Sequence, residues 1–457
     1  INLANTFRRY EMYDEALNVY LLSEKINTKA NFRIQKAQLY DHLGKVDLMI
    51  AEYLNELAHN AKQKKMVMAK VQLFLNNNGI KSERNYQLVK KALLPHVRDE
   101  QDRTDFSEML IWLFMQNAQY EMALRQAKAL DKRTNADGED VYDLGESFLD
   151  KKKYQLAVEA YDYVLEKGKN NFLFIEANIN KLYALTKSLS EQQKQVSELD
   201  NIYQQVITDL GKNRNTVLLL SNYAHFKAFY LHDLASAEQI LIEAMAIPQI
   251  SNTDLAECKL EYADVMLLRG NIWESLLFYS QVEKDFKENP IGHEAKLRRA
   301  KIAYYQGDFD WAQAQLGTLK ASTSKLIAND AMDLSLLIID NLNLDTSTIA
   351  MATFASADLL NYQQKYEDAI AKYDSVLMAF PGHTLSDEIY MSKAEIYTIL
   401  NNTDSAVQMY QKITTDWGYD ILADDALYRL AKIYDNILAD KVKAMELYEK
   451  ILLEHNS

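Results

Sequence analysis

The chain has 457 residues with only 4 Pro and 12 Gly, far below the usual shares of roughly 5 and 7 per cent, so it has few long loops and suits helices throughout. Its formal net charge of −14 makes it a poor general binder of nucleic acid. A single cysteine, Cys258, excludes internal disulfides and cysteine-based zinc sites, and no run of 18 apolar residues is present to span a membrane.

Taken in order, the first sixty residues give Leu3, Ala4, Phe7, Tyr13, Ala16 and Tyr20, then Ala37, Tyr40, Val46, Met49 and Tyr53. Steps of three and four put such residues on single helix faces, so two helix pairs are predicted. Residues 61–100 are less regular. Helices are predicted at about 62–75 and 83–96, separated by the turn signal Asn76–Gly79, with Pro95 ending or bending the second. Helices near 103–117 and 120–131 carry Leu110, Phe114, Tyr120 and Ala123. The loop Thr134–Gly138 leads into the clearest unit, Val141–Val164. There Leu144, Gly145 and Phe148 share one helix face, and Tyr154, Ala157 and Tyr161 share the next. Gly145 and Ala157 are small where a large apolar residue is expected, which lets two helix backbones approach closely.

Residues 172–210 predict a helix Phe174–Lys187, a capping box Ser190–Gln193 and a long second helix to Leu210. A loop at Gly211–Asn215 follows, and a second capping box, Ser251–Asp254, precedes the helix of Cys258. Further units run through Leu234, Ala237 and Leu241, then Ala263, Ile272, Ser275 and Tyr279, then Ala300, Ala303, Phe309, Ala312 and Leu316. Residues 321–363 break the rhythm. A helix from about Ser324 to Asn341 precedes one from Asp345 to Gln363, and one helix is left unpaired, a phase slip expected to bend. The pattern is cleanest afterwards: Ala357, Leu360, Tyr366, Ala369 and Tyr373 closed by Pro381; Tyr390, Ala394, Tyr397, Ala406 and Tyr410; and Leu427, Leu430, Ala431, Tyr434, Ala444 and Tyr448. Thr384–Asp387 is expected to cap the helix that follows it.

The second-helix small positions run 16, 49, 123, 157, 237, 275, 312, 369, 406 and 444. Most gaps are 33 to 38; those of 74 and 80 fit two units each, and that of 57 fits one unit plus one helix. This pattern of large, Leu, Gly/Ala, Tyr, then aromatic, Ala, aromatic over about 34 residues resembles the tetratricopeptide repeat (TPR) family. The resemblance implies an all-α, right-handed α-solenoid in which each unit leans on its neighbours. Three arrays are expected: residues 1–171; 172–320, with a longer irregular pair; and 321–457, after the slip. The stretch 340–457, with its FPGH and ADDALYRLA segments, resembles TPR arrays of bacterial envelope assembly factors. The whole is similar to exported TPR proteins of Bacteroidota. That resemblance implies a periplasmic or cell-envelope location, with the cytoplasm as the alternative. Both ends are expected to be cut, so a leader or lipid anchor would lie upstream.

Charge is uneven: residues 1–100 carry 16 Lys/Arg against 11 Asp/Glu, and residues 340–457 carry 9 against 19. Either the surface is simply solvated or the two ends suit different partners. No phosphate loop, HExxH, GxSxG or EF-hand pattern occurs, and the 8 His are scattered, so no cofactor, metal site or enzyme is expected. His225 and His232 would share a face only if one helix ran through both. Acid pairs such as Asp424–Asp425 and Glu367–Asp368 sit in first turns of helices, where they offset the macrodipole. The resemblance places partner binding on the concave face, formed by first helices. Tyr142, Tyr304, Phe354 and Tyr428 should fall near it, with Asn178, Lys181, Asn222, Lys301, Arg429 and Lys432 as polar candidates. These do not reproduce the spacing of a carboxylate clamp. The expected function is a non-catalytic scaffold docking other proteins, as a subunit of a cell-envelope complex. The alternative is an adaptor or chaperone gripping peptides. Neither involves nucleic acid, and membrane association would come only through an upstream anchor or a partner.

Overall fold

In the computed structural model, residues 1–77, 80–100, 102–189, 193–320, 325–342 and 348–454 are described. They form two compact units, Ile1–Val206 and Ile207–Ser457. The first holds α1 (Asn2–Arg9), α2 (Tyr13–Ile26), α3 (Arg33–His42), α4 (Val46–His59), α5 (Lys64–Leu75), α6 (Glu83–Asp99), α7 (Asp105–Gln116), α8 (Tyr120–Thr134), α9 (Glu139–Asp150), α10 (Tyr154–Leu165), α11 (Phe174–Ser188) and α12 (Gln193–Leu210), whose last residues pass the boundary. The second holds α13 (Val217–Phe229), α14 (Leu234–Met245), α15 (Asn252–Arg269), α16 (Ile272–Asp285), α17 (Pro290–Tyr305), α18 (Phe309–Leu319), α19 (Lys325–Leu342), α20 (Ile349–Tyr362), α21 (Tyr366–Ala379), α22 (Ser386–Ile399), α23 (Thr403–Asp416), α24 (Ala423–Asn436) and α25 (Lys441–Glu454). The strand pairing among the described residues is two residues long, Asn76–Asn77 against Ile80–Lys81. Within each unit the helices stack as TPR-like hairpins, the all-α solenoid class that the repeats predict. The boundary near 206 falls inside the stretch read as the central array.

The repeat spacing works through size. All ten small or Met positions of the second helices are buried, from Ala16 to Ala444, and Ser275 is as inaccessible as the alanines. A larger side chain at any of them would push two helices apart. At the paired position on a first helix, a Cβ on Gly145 would stand 2.8 Å from Cε1 of Tyr161 on α10. The glycine therefore sets how closely α9 and α10 approach.

Local signals mostly do what their chemistry predicts. The Ser251 hydroxyl accepts from the Asp254 N–H at 3.0 Å, and the Asp233 carboxylate accepts from the Ser236 N–H at 3.1 Å, closing the helix starts they precede. Of the two effects expected of Pro95, it does not end α6, which runs on to Asp99; the turn beyond is held from outside, with the His96 ring stacked on Phe106 at 4.6 Å. One expectation fails outright. Thr384 does not cap α22, because its hydroxyl donates instead to the Asn341 side chain at 2.6 Å, tying α22 to α19. Ser190–Gln192 and Asn78–Gly79 lie outside the described residues.

The phase slip is α19, a helix between the α17–α18 and α20–α21 hairpins. It packs on α18, where the Ser335 hydroxyl donates to Gln313 at 2.6 Å and the Gln313 amide donates to the Ser335 carbonyl at 2.8 Å. α20 then returns to lie against α17. Its last turn and the next two residues reach further back. The Tyr362 hydroxyl donates to Asp264 at 3.1 Å, the Gln363 amide to the Leu267 carbonyl at 3.0 Å, and the Gln364 amide to the Phe229 carbonyl at 3.2 Å. The second unit is therefore not a purely nearest-neighbour stack, since this clasp joins α20 to α13 and α15.

Candidate functional site

The first helices of the first unit leave an open cleft of about 440 Å³ between α7 and α9. α7 contributes Glu108, Ile111, Trp112 and Met115, and α9 contributes Asp140, Asp143, Leu144 and Ser147, with Lys151 just past its end. The steps of three and four are those of one helix face, so the cleft follows directly from two amphipathic helices side by side. Its floor is apolar, with Trp112 half-buried, and its rim is acidic at one end. Lys64 pairs with Glu108. Partial desolvation, then the carboxylates of Glu108, Asp143 and Glu139, push the Asp140 carboxyl above its ordinary value, against the pull of Lys64. A cation arriving at this rim would relieve that repulsion while an apolar neighbour filled the floor.

A second cleft, of about 370 Å³, lies in the second unit and is lined by Lys301, Tyr304, Tyr305, Leu334, Asp358, Asn361, Tyr362, Gln364, Tyr366 and Ile399. Its carboxylate is already satisfied from within the chain. Both Tyr304 and Tyr373 donate to the Asp358 carboxylate, and burial pushes that carboxyl up to about 6 despite the two bonds.

The residues singled out from sequence fall in three kinds of place. Tyr142, Tyr304 and Phe354 are buried: Tyr142 accepts from the Asn180 amide at 2.9 Å and meets Tyr161 edge-on, while Phe354 tilts against Tyr373 at 5.5 Å. Of these, Tyr304 reaches the wall of the second cleft. Asn178 donates to the Phe174 carbonyl of its own helix, and Lys181 pairs with Asp162 at 2.6 Å. Tyr428 is 50% exposed, with the Lys432 ammonium 5.6 Å from its ring centre. Within the second unit Tyr428 and Lys432 lie side by side, and Tyr304 shares the second cleft with Lys301.

Sequence reasoning passed over Trp112, Met115, Asp140 and Asp143. A signal was available, since Glu108, Trp112 and Met115 repeat at helical spacing beside the consensus residues Leu110 and Phe114. The histidine pair separates because α13 ends at Phe229; His225 pairs with Glu261 at 2.7 Å and His232 meets Gln364 at 2.7 Å. Burial pushes the Cys258 thiol up to about 12, so it is not a thiolate nucleophile. Among the described residues no group of three or more His, Cys, Asp or Glu could hold a metal ion, and no helix is long and apolar enough to cross a membrane.

No protein-family model matches the sequence, and no curated protein matches it. Many solved structures are similar, and two illustrate the range. One is a tetratricopeptide repeat protein from Parabacteroides merdae, 15% identical with a TM-score of 0.32, over 68% of this chain and 98% of that one. The other is yeast Tom70, 13% identical with a TM-score of 0.34, over 98% of each chain. At these scores neither likeness bears on function, and the TPR-like reading rests on the helix hairpins and their buried small residues.

Proposed function

We propose that this chain is a non-catalytic protein–protein interaction scaffold, and that the α7–α9 cleft is a docking face of its first unit. One observation carries the reading: a cleft with a Trp112–Met115 floor and the Asp140 and Asp143 carboxylates at its rim. Such a face suits a partner segment that brings an apolar anchor next to Lys or Arg, a mode in which ring burial supplies typically ~1 kcal/mol or more per anchor. Membership of a cell-envelope complex is the finer form of the proposal, supported by the resemblance of residues 340–457 to envelope assembly factors. The alternative is an adaptor or chaperone that takes many extended chains in the same cleft.

The test is affinity purification of the native protein in mild detergent, side by side with Trp112→Ala and Asp143→Lys. A fixed partner set in constant ratio, depleted by both substitutions, supports the scaffold. A broad substoichiometric set, depleted in the same way and competed by short peptides, supports the adaptor. Retention of every partner by both variants removes the cleft from the docking surface.

A further inference from the structure

The outer face of α19 bears a feature that the cleft does not explain. The inner face of this helix is spent on packing: Ile327, Ala331, Ser335 and Ile338 are all buried. On the flank beside that buried face, about 110° round the helix, Met332, Leu336 and Ile339 are 45, 42 and 37% exposed. Steps of four and three align them as one apolar stripe two turns long. Asp333 and Asp340 run along one edge of the stripe, with Asp330 beyond them. Among the described residues none of these three carboxylates makes an ion pair. The helix is also firmly seated, since Ser335 and Gln313 join it to α18 while Asn341 donates to Glu388 at 3.2 Å and accepts from Thr384 at 2.6 Å. In a hairpin stack a helix face with exposed apolar residues is normally covered by the next pair. α19 stands outside the α17–α18 and α20–α21 hairpins, and among the described residues this stripe is left partly open.

We propose that the outer face of α19 docks a basic amphipathic helix from a partner protein. The partner's apolar side chains would lie on Met332, Leu336 and Ile339, in the helix-in-groove manner with anchors three and four apart. Its Lys or Arg residues would meet Asp333 and Asp340. The uncompensated carboxylates select the sign of the partner, and they disfavour an anionic lipid surface, which attracts basic and not acidic helix faces. This site is independent of the α7–α9 cleft.

The experiment uses the full chain and a fluorescent 18-residue Leu/Lys peptide with Leu at helical spacing, followed by anisotropy. A matched peptide with Glu in place of Lys is the control. Two sets of exposed substitutions are compared: Met332→Ser with Leu336→Ser and Ile339→Ser, and Asp333→Lys with Asp340→Lys. Met378→Ser, 76% exposed on α21, controls for loss of an unrelated surface apolar group. The expected result is at least tenfold preference for the Lys peptide, a tenfold or greater loss of affinity in each α19 set, and no change in the control. Equal binding of the two peptides overturns the proposal, as does wild-type affinity in either α19 set. Phosphatidylglycerol vesicles that bind the protein through the same residues would also overturn it and assign the face to a membrane.

Discussion

Gly145 offers the cleanest measure of how closely two helices of one hairpin must approach. In Gly145→Ala the new Cβ would stand 2.8 Å and 2.9 Å from Cε1 and Cζ of Tyr161, and 3.3 Å from the Ala160 Cβ. The ring has nowhere to go, because Tyr161 is fully buried and meets Tyr142 edge-on at 5.4 Å. Overpacking of this kind costs about 1–3 kcal/mol. Replacing a helical glycine by alanine returns about 1 kcal/mol of helix propensity. The net destabilisation expected is therefore about 0–2 kcal/mol, too small to interpret alone. Gly317→Ala on α18 provides the reference, since a Cβ there meets nothing within 4 Å and should stabilise by about 0.5–1 kcal/mol. The difference between the two substitutions removes propensity and leaves the clash, about 1–3 kcal/mol. Hydrogen exchange is the suitable assay, because a long helical array need not unfold in one step. Amides of α9 and α10 should exchange faster in Gly145→Ala, about tenfold for each 1.4 kcal/mol. Equal protection of α9–α10 in Gly145→Ala and of α18 in Gly317→Ala, each relative to wild type, would refute the close-approach argument.

Two more outcomes follow from the second unit. The Asp358 carboxyl is pushed up to about 6 by burial, above its ordinary value of 3.8, so the folded state holds a proton that the unfolded chain releases first. Its contribution to stability is full below about pH 4 and is lost as pH rises towards 6, at no more than about 1.4 kcal/mol per pH unit. Thermal unfolding of wild type and Asp358→Asn across pH 4–7 should thus diverge within that window, and parallel curves would show that the carboxyl titrates normally. Gly292→Ala should be severe, because its Cβ would fall 2.0 Å from the Phe286 carbonyl oxygen, a backbone atom that cannot step aside. A loss of about 2–3 kcal/mol in the protection of α16 and α17 is expected, and wild-type exchange there would contradict it.

How much of this was legible in the sequence depended on the range of the interaction. The hairpins were legible because a second helix needs a small residue wherever it crosses its partner, and Ala157, Ala369 and Ala406 recur at that spacing for that reason. The unpaired helix at 325–342 was legible as an interval of 57 between Ala312 and Ala369 that no whole number of units fills. Thr384 misled because a local rule lost to a distant partner, Asn341. The aromatics expected in a groove illustrate a further limit. Helical periodicity says that Tyr142, Tyr304 and Phe354 lie on an apolar face, but not whether the next helix covers it, and here all three are buried. Trp112 sits one step off the consensus face, where the same periodicity leaves it half open to the cleft. The hydrogen bonds of Tyr362, Gln363 and Gln364 span about a hundred residues or more and leave no periodic trace at all.

Those three bonds change how the second unit would carry a load. A stack of hairpins held only to its neighbours behaves like a chain of links, in which tension peels off one link at a time from whichever end is pulled. The clasp from the end of α20 to α13 and α15 adds a second path in parallel. Force applied across the helices it encloses passes partly through Gln364 and the Phe229 carbonyl and bypasses the hairpin interfaces in between. The stretch from α13 to α20 should then yield as one block at a higher force than α23 to α25, whose longest link among the described residues, Arg429 to Glu395, reaches back only one hairpin, so that they can unzip stepwise from the C-terminal side.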